Sequence, residues 1–337
     1  MASHASGPIE LVDRPIGWYI GFICAIFICS YCTHEITTRS TKITVNATTT
    51  LEVVNWGGNG FPIAFLSGLG HTAHVFDDFA PNLTDKYHVI GITRRGFGAS
   101  SQPDDGYDIA TLAEDIRIVL NSLAVRRVVL IGHSLGGDEM TLFARKYPDR
   151  VAAIVYVEAA YCRSSARDSL SRYTAPKSET PLPSAADSTS ATAYQAYYAR
   201  ANGIVMPLSE IEAMFRWSSD GRLRGNVTPG WIYDRIAQSL CDPDYSNIDI
   251  PALAIYGTDY PITELFSDYN SRDSLTQASM RRYHEASLRI DKYSRDYFQT
   301  HMARGRVVNI RGSGHSVYIT HASQVLDTIR IFLAEVL

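Results

Sequence analysis

Short apolar runs alternate with longer amphipathic ones along most of the chain. Lys42–Val45 and Thr50–Trp56 are β-branched runs around a turn and predict a hairpin. Pro62–Leu66 (PIAFL), Tyr87–Ile92 (YHVIGI), Arg127–Ile131 (RVVLI) and Val151–Val157 (VAAIVYV) read as buried strands. Ile109–Leu123 sets apolar residues at helical spacing, and Asp138–Tyr147 predicts a helix that ends before Pro148. Between Tyr161 and Ile248 the rhythm breaks. Pro-, Ser- and Thr-rich stretches such as Thr174–Ser190 alternate there with aromatic helical ones such as Tyr194–Tyr198. The sheet pattern returns at Ala252–Tyr256 (ALAIY) and Arg306–Ile310, and a helix from Ala322 to Leu333 closes the chain.

Strands that are apolar at nearly every position must be covered on both faces, and βαβαβ alternation implies parallel neighbours. The expected fold class is α/β: a doubly wound, mostly parallel sheet of eight strands. Its core is expected at 42–160 and 249–337, with a helical cap inserted at 161–248.

The N-terminus departs from this rhythm. After a tail at 1–15, Ile16–Cys32 (IGWYIGFICAIFICSYC) carries no charge. Its length is the lower limit for a bilayer-spanning helix, and Trp18, Tyr19 and Tyr31 near its ends suit a membrane interface. It predicts an N-terminal hydrophobic helix acting as a membrane anchor, with a cleaved signal peptide as the competing reading. Residues 33–41 (THEITTRST) look like a tether. The expected location is therefore a single-pass membrane protein of the secretory pathway, or a secreted one after cleavage. Three N-x-[ST] triplets begin at Asn46, Asn82 and Asn226 and matter only if the body is lumenal.

Composition narrows the function. With 45% hydrophobic and 20% charged residues in 337, a large core is expected. A net charge of −4 without a basic block excludes nucleic acid as a partner. The five cysteines lack zinc-ligand spacing. Cys162 and Cys241, in the folded body, are expected either as free thiols or as one disulfide.

Gly132-His133-Ser134-Leu135-Gly136 lies between an apolar strand and a helix, the context that a nucleophile elbow requires. Such a turn lifts the Ser134 hydroxyl above the carboxyl end of the sheet, beside the unpaired N–H groups of the following helix. The hydroxyl needs a base. His315, in Gly312-Ser313-Gly314-His315, follows the last strand and falls on the same sheet edge. The imidazole in turn needs an acid to orient it. Glu158 ends VAAIVYV and Asp259 follows ALAIYG, so each is a candidate. His71 and His74 fall near the loop after PIAFL and are candidates for substrate contact.

These residues, together with Ser67-Gly68-Leu69-Gly70 and RRGFGAS, resemble the α/β-hydrolases with a helical cap, over about residues 43–335. The resemblance implies oxyanion donors at the Leu69 and Leu135 backbone N–H groups, and it favours Glu158 over Asp259 as the acid. It also implies ester hydrolysis through an acyl-enzyme, with no metal or organic cofactor. A lactonase, thioesterase or C–C bond hydrolase would use the same triad, and a non-catalytic binding protein would share only the fold. Two departures stand out. Ser67-Gly68 occupies the place of the usual His-Gly, and Thr93 replaces the acid of the D-x-R-G-x-G motif. The partner is expected to be a small hydrophobic ester or lactone. The cap's aromatic residues, Tyr194, Tyr197, Tyr198, Phe215, Trp217, Trp231 and Tyr233, are expected mostly to pack the cap onto the body, with a minority facing the cleft.

Overall fold

The computed structural model describes residues 39–163, 170 and 181–337. β1 (Arg39–Thr44) and β2 (Thr50–Gly57) form the expected antiparallel hairpin. It starts earlier than expected. Arg39, Ser40 and Thr41, assigned above to the tether, pair with Asn55, Val54 and Val53. Then follow β3 (Phe61–Leu66), β4 (Tyr87–Ile92), α1 (Ile109–Ser122), β5 (Val128–His133), α2 (Gly136–Lys146) and β6 (Val151–Val157). Between β6 and the next sheet strand lie α3 (Ala191–Asn202), α4 (Leu208–Met214), a two-stranded hairpin of β7 (Phe215–Trp217) and β8 (Leu223–Asn226), and α5 (Gly230–Gln238). The hairpin was not anticipated; its strands are short, and Gly221 turns at a φ of +81° beside them. The chain ends with β9 (Ala252–Thr258), α6 (Ser274–His301), β10 (Gly305–Arg311) and α7 (Ala322–Val336).

Eight strands form one sheet in the order β1-β2-β4-β3-β5-β6-β9-β10. β2 runs antiparallel to β1 and β4, and every other neighbouring pair is parallel. Period-two alternation divides the strand side chains between two cores. Phe65, Ile131, Val155 and Ile255 face a core closed by Val325, Ile329 and Phe332 of α7. Leu66, Leu130, Ile154 and Tyr256 face another, closed by Ile116 of α1, Phe143 of α2 and Phe298 of α6. Burial on both faces is why these strands read as continuous apolar runs.

Helix α6 was also not anticipated. Its buried residues are Met280, Ala286, Ile290, Ser294 and Phe298, a narrow stripe that includes small and polar side chains. Asp273 caps it by accepting from the Leu275 and Thr276 N–H groups.

The expected anchor at 16–32 and the tail before it lie outside the described residues. Among the described residues no helix is long and apolar enough to cross a membrane. Even the longest, the 28-residue α6, is polar over most of its surface. The expectation of a single-pass membrane protein of the secretory pathway is corrected accordingly. Cys162 is buried, Cys241 is exposed, and both are free thiols.

Glycines fix how closely α2 approaches the sheet. A Cβ on Gly136 would lie 2.5 Å from the Leu66 carbonyl oxygen, and one on Gly137 would lie 2.1 Å from that of Ala159. Both obstacles are backbone, which cannot move aside cheaply. Gly137→Ala is therefore expected to lower stability by about 1–3 kcal/mol, as overpacking usually does. Chemical denaturation of the two proteins checks this; an unchanged midpoint would contradict the packing argument.

Candidate active site

Ser134 follows β5, at the middle of the sheet, and precedes the first turn of α2. It holds a left-handed φ of +50°, which a non-glycine residue adopts only when its surroundings impose it. Two bonds fix the bend: Ser134 N–H donates to Glu158 O at 3.1 Å, and Gly137 N–H donates to Ser134 O at 3.0 Å. A Cβ on Gly132 would lie 2.9 Å from the Gly136 backbone carbon, besides crowding the flexible end of Met140, so a side chain there would force the turn to shift. Ser134 remains half-buried. Leu135, at the N-cap of α2, has no intrahelical acceptor for its N–H.

The loop after β3 passes close by. An ideal Cβ on Gly68 would lie 3.3 Å from Ser134 Cβ and 2.9 Å from His133 Nδ1. Among the described residues, Leu69 N–H donates no hydrogen bond. Arg94 Nη1 donates to Gly68 O at 2.7 Å, Arg94 Nη2 donates to Ser67 O, and Arg94 Nε donates to Glu139 Oε1 on α2 at 2.8 Å. Thr93, where the resemblance leads one to expect an acid, accepts Ala73 N–H at Oγ1 at 3.0 Å. Arg95 forks onto buried Asp115 at 2.8 and 2.7 Å.

The two candidate acids part company here. Glu158 and Asp259 both end a strand with positive φ, +50° and +55°. Glu158 is buried: its Oε1 accepts Gly257 N–H, and its Oε2 accepts the Tyr161 hydroxyl and faces His315 Nδ1 at 3.5 Å. The Asp259 side chain is 70% exposed and pairs with Arg311 at 3.5 Å instead. Glu158 and His315 are thus brought together, and Asp259 points elsewhere.

His315 is held from two sides. The Nε2–H of His133 donates to His315 O at 2.8 Å, with the rings 4.6 Å apart. A carbonyl only accepts, so the proton of His133 sits on Nε2. Burial and the neighbouring His315 push the His133 pKa well below its ordinary value, which keeps the ring neutral. Gly314 N–H donates to Glu264 Oε1 at 2.9 Å, immediately before His315. Burial raises the Glu264 carboxyl above its usual range. Sequence reasoning missed Glu264 and Arg94 because their partners are distant in the chain, and Tyr161, only three residues past Glu158, because no motif marks it.

A cleft of about 670 Å³ opens beside Glu158 and His315. Tyr161, Tyr260, Leu265, Ile290 and Asp291 contribute to its wall, whereas Ser134 is not among its lining residues. Burial, then the charge of Glu158, raises Asp291 to about 6, and Tyr260 donates to its Oδ2 at 2.9 Å. The expected aromatic residues of the insertion pack elsewhere. Tyr194 and Phe215 pack edge to face with ring centres 4.7 Å apart, Trp231 packs on Tyr107, and Tyr233 packs on Phe97.

His71 and His74 support the loop after β3 and are not free to meet substrate through every nitrogen. His71 Nδ1 lies 3.0 Å from Glu210 Oε1, a fully buried carboxylate on α4 that also accepts Thr72 N–H. His74 lies between Asp77 Oδ2 at 2.9 Å and Glu52 Oε1 at 3.3 Å. Burial opposes its charge, but those two carboxylates outweigh it and raise the pKa to about 10. A raised folded-state pKa stabilises most below the ordinary 6.5, and the effect is lost as pH rises toward 10. The difference in melting temperature between the wild type and His74→Ala is therefore expected to be widest near about pH 6 and to narrow toward about pH 10. Melting curves across that range would show otherwise if the imidazole were neutral in the fold.

The comparisons with known proteins agree with this geometry at the level of fold. Residues 62–193 match the model of the α/β hydrolase fold family. Over 114 residues the chain is 33% identical to 2-(acetamidomethylene)succinate hydrolase of Mesorhizobium japonicum, covering 34% of this chain and 41% of that one. Over 120 residues it is 38% identical to a non-heme chloroperoxidase of Streptomyces lividans, covering 35% and 44%. The chain thus matches less than half the length of these curated relatives. The crystal structure of E-2-(acetamidomethylene)succinate hydrolase superposes with a TM-score of 0.63 at 23% identity, over 88% of this chain and 99% of that one. A thermophilic esterase from Thermogutta terrifontis superposes with a TM-score of 0.55 at 19% identity, over 88% and 99%. The chain has the α/β-hydrolase fold.

Proposed function

We propose that the protein is a serine hydrolase that cleaves an ester of a small hydrophobic substrate. The observation that carries this reading is the buried Glu158 carboxylate facing His315 Nδ1, one strand away from the strained Ser134 turn. In the proposed reaction His315 Nε2 takes the Ser134 proton as Oγ attacks the ester carbonyl. Glu158 keeps the second imidazole proton on Nδ1 and stabilises the imidazolium. The tetrahedral oxyanion accepts from the Leu69 and Leu135 N–H groups, each such donor contributing roughly 3 kcal/mol to the transition state. Collapse breaks the bond to the alcohol, which leaves with the proton from His315. Water then attacks the acyl-enzyme by the same route and frees Ser134.

The cleft beside His315 favours a substrate that is neutral where it meets Leu265, Ile290 and Tyr260. The named relatives include an esterase and a hydrolase of an acetamidomethylene succinate, and their overlap with this chain supports hydrolysis more directly than any one substrate. A fluorophosphonate probe tests the reading: Ser134 is expected to be labelled, with the adduct located by peptide mass spectrometry. An unlabelled Ser134 in folded protein would contradict it.

A further inference from the structure

The oxyanion hole proposed above needs two N–H groups from different elements, Leu69 on the loop after β3 and Leu135 at the start of α2. Pairing of Leu66 with Gly132 and the close approach of Gly136 to the Leu66 carbonyl set where the loop leaves the sheet, but not where its Leu69 N–H points. One side chain bridges the two elements. Arg94 is buried, at 5% exposure, and its guanidinium donates to Glu139 of α2 and to the carbonyls of both Ser67 and Gly68. A trans peptide points its N–H opposite its C=O. Holding the Ser67 and Gly68 carbonyls on one guanidinium therefore fixes the direction of the Gly68 and Leu69 N–H groups, beside Ser134. Glu139 lies on the helix whose first turn carries the Leu135 N–H, and it is itself buried. Phe97 confines the guanidinium further, with Arg94 Cζ 5.6 Å from its ring centre.

We propose that Arg94 is a positioning residue of the oxyanion hole, a strut that ties the Ser67–Leu69 loop to α2 and sets the spacing between the Leu69 and Leu135 N–H groups. This rests on the serine-hydrolase reading and deepens it. A buried ion pair usually adds little net stability over apolar residues of the same volume, so the pair is better explained by the geometry it imposes. Lysine cannot substitute. Its ammonium is a point donor, and three acceptors on two elements need the planar fork of arginine.

The test compares 4-nitrophenyl acetate with its thiono counterpart, in which sulfur replaces the carbonyl oxygen. Sulfur is a poor acceptor and forms a longer bond, so an aligned hole favours the oxo ester. In Arg94→Lys, kcat for the oxo ester is expected to fall roughly 10²-fold with little change in KM, as for a misplaced oxyanion donor. The preference for the oxo over the thiono ester should shrink by a similar factor, and the rate of fluorophosphonate labelling should fall in parallel. The double variant Arg94→Met with Glu139→Met leaves no buried charge unpaired, and it carries the same expectation should the lysine variant not fold. Loss of packing alone would slow both esters equally. Equal slowing, or wild-type rates and preference in either folded variant, would overturn the strut. A wild-type protein that neither labels nor hydrolyses either ester would instead refute the serine-hydrolase reading, and the strut with it.

Discussion

Ser134→Ala is expected to lower hydrolysis of 4-nitrophenyl acetate by about 10⁴- to 10⁶-fold, the range seen when a triad nucleophile is removed. The substitution deletes one oxygen and leaves the bend intact. Alanine meets the same steric cost at a φ of +50°, and the bonds that hold the turn are made by backbone atoms of Ser134, Glu158 and Gly137. The melting temperature should therefore barely move while turnover collapses. No adjacent side chain can take over, because His133 is buried and spends its Nε2–H on His315 O. Residual activity would reflect binding and oxyanion stabilisation acting on water as the nucleophile. Turnover that survives unchanged in the folded variant would remove Ser134 from the chemistry and the proposed reaction with it.

The sheet was legible because its strands are buried on both faces, so VAAIVYV and ALAIY stand out without any knowledge of neighbours. The turn at Ser134 was legible because close packing of α2 against Leu66 and Ala159 excludes any Cβ at Gly136 and Gly137. Long-range polar contacts were not legible. Glu264 meets Gly314, and Arg94 meets Ser67 and Gly68, only after strands distant in sequence lie side by side. Helix α6 was hidden for another reason: a stripe that includes Ala286 and Ser294 carries too little apolar contrast to mark a periodicity. The choice of acid was hidden by symmetry. Glu158 and Asp259 each follow an apolar strand and each bend the chain with a similar φ. What separates them is strand order. β6 lies between β5 and β9, so its end looks onto the Ser134 turn and the Gly257 N–H; β9 lies next to the edge strand β10, and Asp259 meets Arg311 of that strand in solvent.

That difference leads to an unequal outcome for two superficially equal substitutions. Glu158→Gln is expected to lower kcat by about 10⁴-fold, as when a triad carboxylate is replaced by its amide. The Glu158 carboxylate faces three donors: Gly257 N–H, the Tyr161 hydroxyl and His315 Nδ1–H. An amide has one oxygen and one NH₂, so at least one donor must then confront another donor. The backbone N–H of Gly257 cannot turn away, since β9 is paired on both sides. The amide oxygen must stay with it, which leaves the NH₂ toward Tyr161 and His315. Tyr161 can rotate its hydroxyl and accept. His315 can relieve the clash only by moving its proton to Nε2, which is the tautomer unable to take a proton from Ser134. Asp259→Asn alters a side chain 70% exposed whose ion partner, Arg311, is 88% exposed, and such surface pairs contribute at most about 1 kcal/mol. Its kcat should stay within about twofold of wild type. Steady-state kinetics on both variants, with circular dichroism to verify folding, separates the two carboxylates; a large loss in Asp259→Asn with Glu158→Gln unaffected would reverse the assignment.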